Sequence, residues 1–184
     1  MRFVVAITGA SGIIYGKRLL EVLKGKAEVH LIISKTGEQL LKHELKMIKD
    51  ELNSFVDFVH SEANMLSPLA SGSFQVDAMI IIPCSMKTIA GIASGYSENL
   101  ILRTADVVLK ERHKLILVPR ETPLSSLHLD NLLNLSRQGA IILPAMPAFY
   151  HKPTKIDDLV DFIIGKVLDS LGVDHTLFPR WTGS

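Results

Sequence analysis

The sequence predicts an α/β fold in which a parallel sheet carries helices on both faces. Short apolar runs of strand length alternate with segments of helical periodicity, which indicates repeated βαβ units. Four of the apolar runs end abruptly in small, polar or charged residues, at positions 8–12, 34–35, 83–88 and 119–126. Because the carboxyl ends of parallel strands lie at one edge of a sheet, these four segments are expected to form one ligand site.

Strands and helices are predicted in alternation along the chain. The strands are the apolar runs at residues 3–7, 29–33, 79–82, 115–118 and 140–143. The first two helices, of which one starts after Gly12, have their apolar positions within residues 14–23 and 40–45, and the others cover about residues 88–93, 100–112, 125–138 and 156–171. Gly95 and Gly139 are expected to end two of them. No element is assigned to the charged, poorly periodic residues 46–61, whereas residues 64–73 are predicted to be a loop and residues 174–184 an irregular tail.

Length and composition favour one intracellular domain that associates with itself. The 184 residues are predicted to form a single domain, 1–184. Hydrophobic residues make up 47% and the mean hydropathy is +0.27, which predicts an apolar subunit interface and a homo-oligomer. A net charge of +1 favours neither nucleic acid nor membrane as a partner. A single cysteine, and a first apolar run too short for a signal peptide, predict a cytoplasmic location.

The segment TGASG at 8–12 joins the first strand to the first helix. Free amides and the positive end of the helix dipole attract phosphate at such a position, although a tight turn needs the same small residues. A nicotinamide dehydrogenase is excluded because the sequence from Gly9 is GASGII rather than GxGxxG, and Ser34-Lys35 stands where an acid would hold the ribose. No Tyr-x-x-x-Lys pair is present either. A mononucleotide ligand remains possible.

The segment PCSMKT at 83–88 repeats this arrangement after the third strand. Ser85 and Thr88 offer hydroxyls, and the backbone amides could line an anion or the edge of a flavin, while a simple helix cap explains the same residues equally well. Cys84 could be a nucleophile, but no histidine is near it in sequence, so a small buried residue is the favoured interpretation.

Several cations outside these loops are candidates for a phosphate pocket. Arg103, Asp106 and Lys110 are at helical spacing, which is typical of a solvated ion-pair face and also of a cationic stripe. Lys166 is predicted at the edge of an apolar helix face, either extending to solvent or buried and awaiting an anion. Tyr150, just past the fifth strand, is similarly ambiguous.

Two chemistries are rejected on pattern. The segment DDLVD at 157–161 spells the DDxxD magnesium-diphosphate motif, but Thr154 and Asp157 have the spacing of a capping box at a helix start, and DDxxD belongs on all-helical scaffolds. The seven histidines are dispersed and neither CxxC nor HExxH occurs, so no metal site is predicted.

Nine motifs, weak singly, occur along nearly the whole chain in an order and spacing that is specific as a set. They are TGASG at 8–12, ISK at 33–35, SPLASGS at 67–73, PCSMKT at 83–88, NLILRTADVVLKE at 99–111, LVPRETPLSSLHL at 117–129, ILPAMPAFYHKP at 142–153, DLVDFIIGKVLD at 158–169 and PRW at 179–181. With these motifs the chain resembles the UbiX-type flavin prenyltransferases, which have a Rossmann-like (flavodoxin-like) fold. That family attaches a dimethylallyl group from dimethylallyl monophosphate to N5 and C6 of reduced FMN, and the prenylated FMN serves UbiD-type decarboxylases.

The resemblance implies a role for each matching residue and a family assembly that can be a dodecamer. The residues implied to bind FMN are Gly9, Ala10, Ser11, Ser34, Ser85, Met86, Lys87, Thr88 and Arg120. Those implied to surround the allylic phosphate are Arg103, Lys110, Arg120, Tyr150 and Lys166, with Trp181 closing the site. Ser11, Glu44 and Glu121 would be the polar groups near the reacting atoms, the catalytic set, although surface placement is the default for each acid on its own. Preorganised cations would neutralise the leaving phosphate without a metal.

Two other functions are carried as alternatives. Flavin-dependent cysteine decarboxylases of the same fold group resemble the chain at the loop after the third strand, but they have PASANT there with a functional asparagine, and Lys87 occupies that place here. For direct decarboxylation of aromatic acids, the sequence offers no obvious set of residues that would activate a substrate carboxylate. A non-catalytic FMN carrier would need the first three loops but no second phosphate pocket.

Overall fold

The computed structural model describes residues 1–183 and contains a six-stranded, all-parallel sheet. Its strands are β1 (Arg2–Ile7), β2 (Glu28–Ile33), β3 (Phe58–Ser61), β4 (Ala78–Cys84), β5 (Lys114–Pro119) and β6 (Ile141–Ile142). Their order across the sheet is β3-β2-β1-β4-β5-β6. The sheet thus has the expected α/β architecture, and the long apolar runs at its centre fit strands that are buried on both faces.

Six helices connect or follow these strands. They are α1 (Ile13–Leu23), α2 (Lys35–Leu45), α3 (Met86–Ala93), α4 (Leu100–Lys110), α5 (Ser126–Arg137) and α6 (Ile156–Leu171), and two short 3-10 helices cover Lys49–Phe55 and Pro68–Ala70. Among residues 1–183, every helix is too short or too polar to cross a lipid bilayer.

Alternate residues of each central strand build two separate hydrophobic cores. Val5 and Ile7 of β1 pack into the core that contains the apolar side chains of α1 and α6. Val4 and Ala6 point to the opposite face, which α3 and α4 cover. The two-residue period of a strand therefore places helices on both faces of the sheet, as predicted.

The structure differs from the sequence prediction at both sheet edges. The unassigned residues 46–61 contain a 3-10 helix and the edge strand β3, whose Phe58 and Val59 are exposed, so no buried apolar run marked it. The fifth predicted strand shrinks to Ile141–Ile142, although the Leu143 amide still donates to the Leu117 carbonyl at 2.8 Å.

Two helix starts also differ from prediction. Helix α3 begins at Met86, two residues before the predicted start, because the Ser85 side chain caps it. The cap of α6 is shifted by one residue, since the Asp158 carboxylate, rather than that of Asp157, accepts from the amides of Thr154 and Lys155. The prediction of Asp157 as the capping acid is therefore wrong, while the acids of DDLVD do serve the helix start.

The order of the strands creates a crevice at the carboxyl edge between β1 and β4. The chain runs from β1 to β2 on one side and then crosses back to place β4 on the other side of β1. The loops after β1 and β4 therefore diverge, which is the position where open parallel sheets bind ligands. The tail from Asp174 is irregular as predicted, with Ser184 outside the described residues.

Candidate functional site

One threonine hydroxyl joins the two loops that border the crevice. Thr8 Oγ1 donates to the Pro83 carbonyl at 2.9 Å and accepts from the Ser85 amide at 2.8 Å. The Thr8 amide also lies 3.2 Å from the Pro83 carbonyl oxygen. Thr8 is only 2% exposed, so these bonds replace water for buried backbone groups. The loop after β1 and the start of α3 are thereby held as one wall.

An internal carboxylate already occupies the N-terminus of α1. Glu44 Oε2, from α2, lies 3.0 Å from the amide nitrogens of both Gly12 and Ile13. Gly12 has φ +100°, a left-handed conformation that glycine tolerates best. Because Glu44 uses these two amides, it anchors α1 to α2, and the N-terminus of α1 is partly neutralised before any ligand binds.

The N-terminus of α2 is satisfied in a similar way. Ser34 Oγ accepts from the Gly37 amide at 3.0 Å, and Glu62 Oε1 accepts from the Lys35 amide at 2.8 Å. Glu62 follows β3, so this bond ties the edge strand to the helix. Ser34 therefore acts as the cap of α2 at the rim of the crevice.

The start of α3 retains donors that the protein does not use. Ser85 Oγ accepts from the Thr88 amide at 3.3 Å and lies 3.0 Å from the Thr88 hydroxyl. The amides of Met86 and Lys87, ahead of Thr88 in the first turn, find no acceptor within residues 1–183. Compared with the starts of α1 and α2, that of α3 is thus better prepared for a ligand anion.

A cleft of about 550 Å³ opens between these loops. Hydroxyls, two lysines, two glutamates and a short apolar stretch line it: Thr8, Gly9, Ser34, Lys35, Thr36, Glu62, Ala63, Ser85, Lys87, Thr88, Glu98, Asn99, Ile101 and Leu102. A Cβ atom on Gly9 would come within 2.6 Å of Thr36 Cγ2, so only glycine fits there. The volume is within the range of small-molecule sites.

The side chains and amides that line this cleft suit the phosphate and the ring of a flavin mononucleotide. The open amides of α3, the hydroxyls of Ser34, Ser85 and Thr88, and the charge of Lys87 suit a phosphate monoester. Ile101 and Leu102 offer an apolar surface for a planar ring. Met86 and Ala10 are buried in the protein, so their backbone rather than their side chains would contact the ligand.

Arg120 brings the loop after β5 to the same rim. Its Nε donates to the Ser11 carbonyl at 3.3 Å. Ser11 itself is exposed, and the neighbouring Glu121 carboxylate accepts from the Thr122 amide at 3.1 Å. Of the predicted residues, Arg120 and Glu44 therefore both contact the loop after β1, which contains Ser11. Glu121 accepts a hydrogen bond within its own loop.

The remaining predicted cations do not line this cleft. Arg103 forms an ion pair with Asp106 at 2.6 Å and donates from Nε to the Ala70 carbonyl at 3.1 Å. Lys110 pairs with Glu111 near Gly72. Within this chain Arg103 and Lys110 thus have the ion pairs of a solvated helix face, and Arg103 is also hydrogen-bonded to the loop at 64–73.

Lys166 on α6, Tyr150 after β6 and Trp181 on the tail also lie outside this cleft. Lys166 is exposed and its Nζ lies 3.3 Å from Asp169 Oδ2, so within its own chain it extends to solvent. The rings of Tyr150 and Trp181 meet edge to face at 5.6 Å. Arg180, His175 and Lys166 hold the pKa of Asp169 at about 2, so that carboxylate links α6 to the tail that carries Trp181.

Cys84 and the titratable residues give no sign of a nucleophile or metal centre. Burial raises the pKa of the Cys84 thiol, which keeps it protonated and confirms the interpretation as a small buried residue. Within residues 1–183, no group of three or more His, Cys, Asp or Glu side chains could hold a metal ion.

Thr8, Glu62 and Asn99 are site residues that the sequence prediction missed. Thr8 stood inside a recognised motif, but its partner is 77 residues away in sequence, so only its position at a strand end hinted at a role. Glu62 follows the unpredicted strand β3, and no sequence signal marked it. Asn99 caps α4 through a 3.0 Å bond from the Leu102 amide, and this cap was a recognisable signal.

Comparison with known proteins gives the class of the chain. Residues 1–168 match the model of the Flavoprotein family. The flavin prenyltransferase UbiX of Methanocaldococcus jannaschii is 52% identical over 181 residues, which cover 98% of each chain. A crystal structure of AnUbiX (PadA1) with FMN and dimethylallyl pyrophosphate superposes with a TM-score of 0.97, at 47% identity over 100% of this chain and 98% of that chain.

A third similarity concerns assembly. The crystal structure of a dodecameric FMN-dependent UbiX-like decarboxylase from Escherichia coli O157:H7 has a TM-score of 0.97 and 45% identity, and each chain is covered completely. With full-length identity at this level, this chain belongs to the Flavoprotein family and, within it, to the UbiX-type flavin prenyltransferases.

Proposed function

We propose that this protein transfers the dimethylallyl group of dimethylallyl monophosphate to N5 and C6 of reduced FMN. The observation that best supports this proposal is the cleft between the loops after β1 and β4. Its open helix amides, hydroxyls and Lys87 suit the phosphate of a flavin mononucleotide. The product, prenylated FMN, would serve a UbiD-type decarboxylase in the cytoplasm. Family membership supports the reaction, since relatives about 50% identical bear the prenyltransferase name.

In this reaction the residues of the chain would bind FMN and the allylic substrate, orient them and shield them from water. Gly9, Ala10, Ser11, Ser34 and the segment 85–88 would hold FMN, and Arg120 would join the flavin site to the phosphate of the allylic substrate. Reduced FMN, when bound, supplies the nucleophilic N5 and C6. Arginine and lysine side chains would stabilise the charge that builds up on the departing phosphate. The displaced phosphate can itself take the proton lost at the end, so the site does not require a strong side-chain base.

We infer that a neighbouring copy of the chain supplies part of the phosphate pocket. Lys166, Tyr150 and Trp181 are exposed and stay outside the cleft of their own chain. Large apolar side chains such as Leu127, Met146 and Phe149 are also exposed, which supports a homo-oligomer, and the dodecameric relative suggests its size. An adjacent subunit would then bring its cations to the open side of the cleft.

Co-assembly of two defective variants tests the shared site. Lys166→Ala and Arg120→Ala are each expected to lose most prenyl transfer when assembled alone. Co-expressed in one oligomer they should regain part of the activity, because some sites then contain both native residues. If the mixed oligomer is no more active than the average of the two pure variants, the two residues act from one chain and the shared pocket is refuted.

The reaction itself is tested by mass analysis of the flavin. The protein is incubated without oxygen with reduced FMN and dimethylallyl monophosphate, with EDTA in a parallel sample. A flavin heavier by one dimethylallyl unit in both samples is the expected result. Tight FMN binding without a change in mass would overturn the transferase and favour a carrier. Conversion of a cysteine-derived acid instead would favour the decarboxylase.

A further inference from the structure

A continuous chain of polar side chains crosses the edge of the sheet away from the cleft. Glu28 Oε1 lies 2.8 Å from His30 Nε2, and His30 Nδ1 lies 2.9 Å from His60 Nε2. His60 Nδ1 in turn lies 3.0 Å from Ser67 Oγ. His30 is 3% exposed and Ser67 is 4% exposed, whereas Glu28 and His60 are partly exposed, so this hydrogen-bonded chain runs from the sheet edge into the interior.

In this hydrogen-bonded series, the groups at the two ends, Glu28 and Ser67, determine where each proton lies. Arg2 and His30 hold the pKa of Glu28 at about 2, so its carboxylate only accepts and His30 donates from Nε2. Neutral His30 then accepts at Nδ1 from His60 Nε2, and His60 accepts at Nδ1 from the Ser67 hydroxyl. Every member of the chain is satisfied, which makes its geometry well defined.

The same chain can hold one additional proton but not two. With one more proton, His30 donates from both nitrogens, and His60 accepts at Nε2 and donates from Nδ1 to Ser67. With two, an N–H of His30 and an N–H of His60 face each other across 2.9 Å, and the bond is lost. Burial and His30 lower the pKa of His60, which is consistent with a second proton that enters only in acid.

The surroundings of the pair contain few other charges. Phe58 stacks on His30 with ring centroids 4.7 Å apart, and Phe74 meets it edge to face at 5.4 Å. From β1, Arg2 reaches Glu28 at 2.5 Å and covers Phe74. Asp57 and Asp77 are bonded to the backbone amides of Val29 and Arg2. Glu28 is therefore the acid that faces the pair directly.

Ser67 ties this chain to the loop that holds Arg103. The loop at 64–73 follows β3, and its Leu69 is buried in the core beside α4. Its Ala70 carbonyl accepts from Arg103 Nε at 3.1 Å. By contrast, the Glu62 end that lines the flavin cleft has its own anchors, since its carbonyl accepts from the Leu100 amide at 2.8 Å and its carboxylate from Lys35.

We propose that His60 and His30 are positioning residues. Through Ser67 they hold the loop at 64–73 and so orient Arg103, which lies outside the cleft of its own chain, toward the allylic phosphate in a pocket shared with a neighbouring copy. Loss of this support is expected to weaken binding of the allylic substrate but not of FMN, because Glu62 at the flavin cleft has its own hydrogen bonds. The effect on KM for dimethylallyl monophosphate rests on the proposed function. The effect on the loop itself, measured by amide exchange, does not.

Steady-state kinetics and hydrogen exchange on the full oligomer test the proposal. The variants are His60→Phe and Ser67→Ala, and the matched control is His43→Gln, an exposed histidine on α2 outside this network. Both test variants are expected to raise KM for dimethylallyl monophosphate about tenfold, to leave kcat and the FMN Kd within about twofold, and to speed amide exchange in residues 64–73. The control should match the native protein.

The dependence on pH separates positioning from a general loss of packing. In the native protein, KM should rise as the pH falls below about 6.5, the ordinary pKa of histidine, because the second proton breaks the His30–His60 bond. The phosphate of the substrate also takes up a proton in this range and affects both proteins alike. His60→Phe lacks the additional rise due to the histidine pair, so the ratio of the two KM values should narrow in acid. An unchanged KM with unchanged exchange in both variants, or a ratio that is constant with pH, overturns the proposal.

Failure of the proposed function has a different signature. If the native protein forms no heavier flavin, prenyl transfer is refuted, while exchange in residues 64–73 still reports whether His60 and Ser67 hold the loop.

Discussion

At the scale of single residues, the crevice depends on polar groups that bridge distant parts of the chain. Thr8 uses one hydroxyl for two backbone partners, and Ser85 uses one for the amide and hydroxyl of Thr88. Lys166, in contrast, was open to two interpretations from the sequence, because helical spacing places a side chain at the edge of a face without saying whether it turns outward. The structure turns it to solvent, beside Asp169.

Replacement of Thr8 by valine tests the bridge between the loops. Thr8→Val keeps the shape but leaves the Ser85 amide without its acceptor, which is expected to cost about 1–3 kcal/mol of unfolding free energy and to weaken FMN binding. Thr8→Ser keeps the hydroxyl and serves as control. Chemical denaturation and titration with FMN measure both effects, and equal FMN affinity for the two variants would contradict the account.

At the scale of elements, internal carboxylates decide which helix starts remain available to a ligand. Glu44 occupies the start of α1 and Glu62 occupies that of α2, whereas no carboxylate reaches the first amides of α3 within residues 1–183. Buried strands and amphipathic helices were predictable because their apolar periods are long. Strand β3 was not, since an edge strand with exposed Phe58 lacks such a run, and Glu62 was missed along with it.

Removal of the Glu44 carboxylate tests this internal anchor. Glu44→Ala leaves the amides of Gly12 and Ile13 unpaired and removes a charge from the helix dipole, so it is expected to destabilise the protein by about 1–2 kcal/mol. The control is Glu38→Ala on the same helix, whose partly exposed pair with Lys49 contributes less than about 1 kcal/mol. Urea unfolding measures both, and a larger loss for Glu38→Ala would contradict the assignment.

At the scale of the whole molecule, a carboxylate on the last helix fastens the tail. Asp169 receives both terminal nitrogens of Arg180, at 2.7 and 2.6 Å, together with His175. This link holds Trp181 beside Tyr150, on the exposed surface that we assign to a subunit contact. The sequence predicted an irregular tail, but a carboxylate with three partners, Arg180, His175 and Lys166, on a helix and a loop has no linear pattern that would reveal it.

Loss of the Asp169 charge should free the tail. Asp169→Asn is expected to lower the fluorescence anisotropy of Trp181, the single tryptophan, whereas the exposed Asp157→Asn should not. Because the folded pKa of Asp169 is depressed to about 2, its contribution to stability is present above its unfolded pKa of about 3.9 and is lost as the pH falls through about 2. A tryptophan signal identical in both variants would contradict the role of this link.

The most direct measurement of the central claim compares the native protein with Lys166→Ala in the anaerobic reaction of reduced FMN with dimethylallyl monophosphate. Mass analysis follows the flavin, and a separate titration measures FMN binding. The account predicts a flavin heavier by one dimethylallyl unit from the native protein, and little product from Lys166→Ala despite the same FMN affinity. An unchanged flavin mass with the native protein would contradict prenyl transfer, and native turnover by Lys166→Ala would contradict the phosphate role of that lysine.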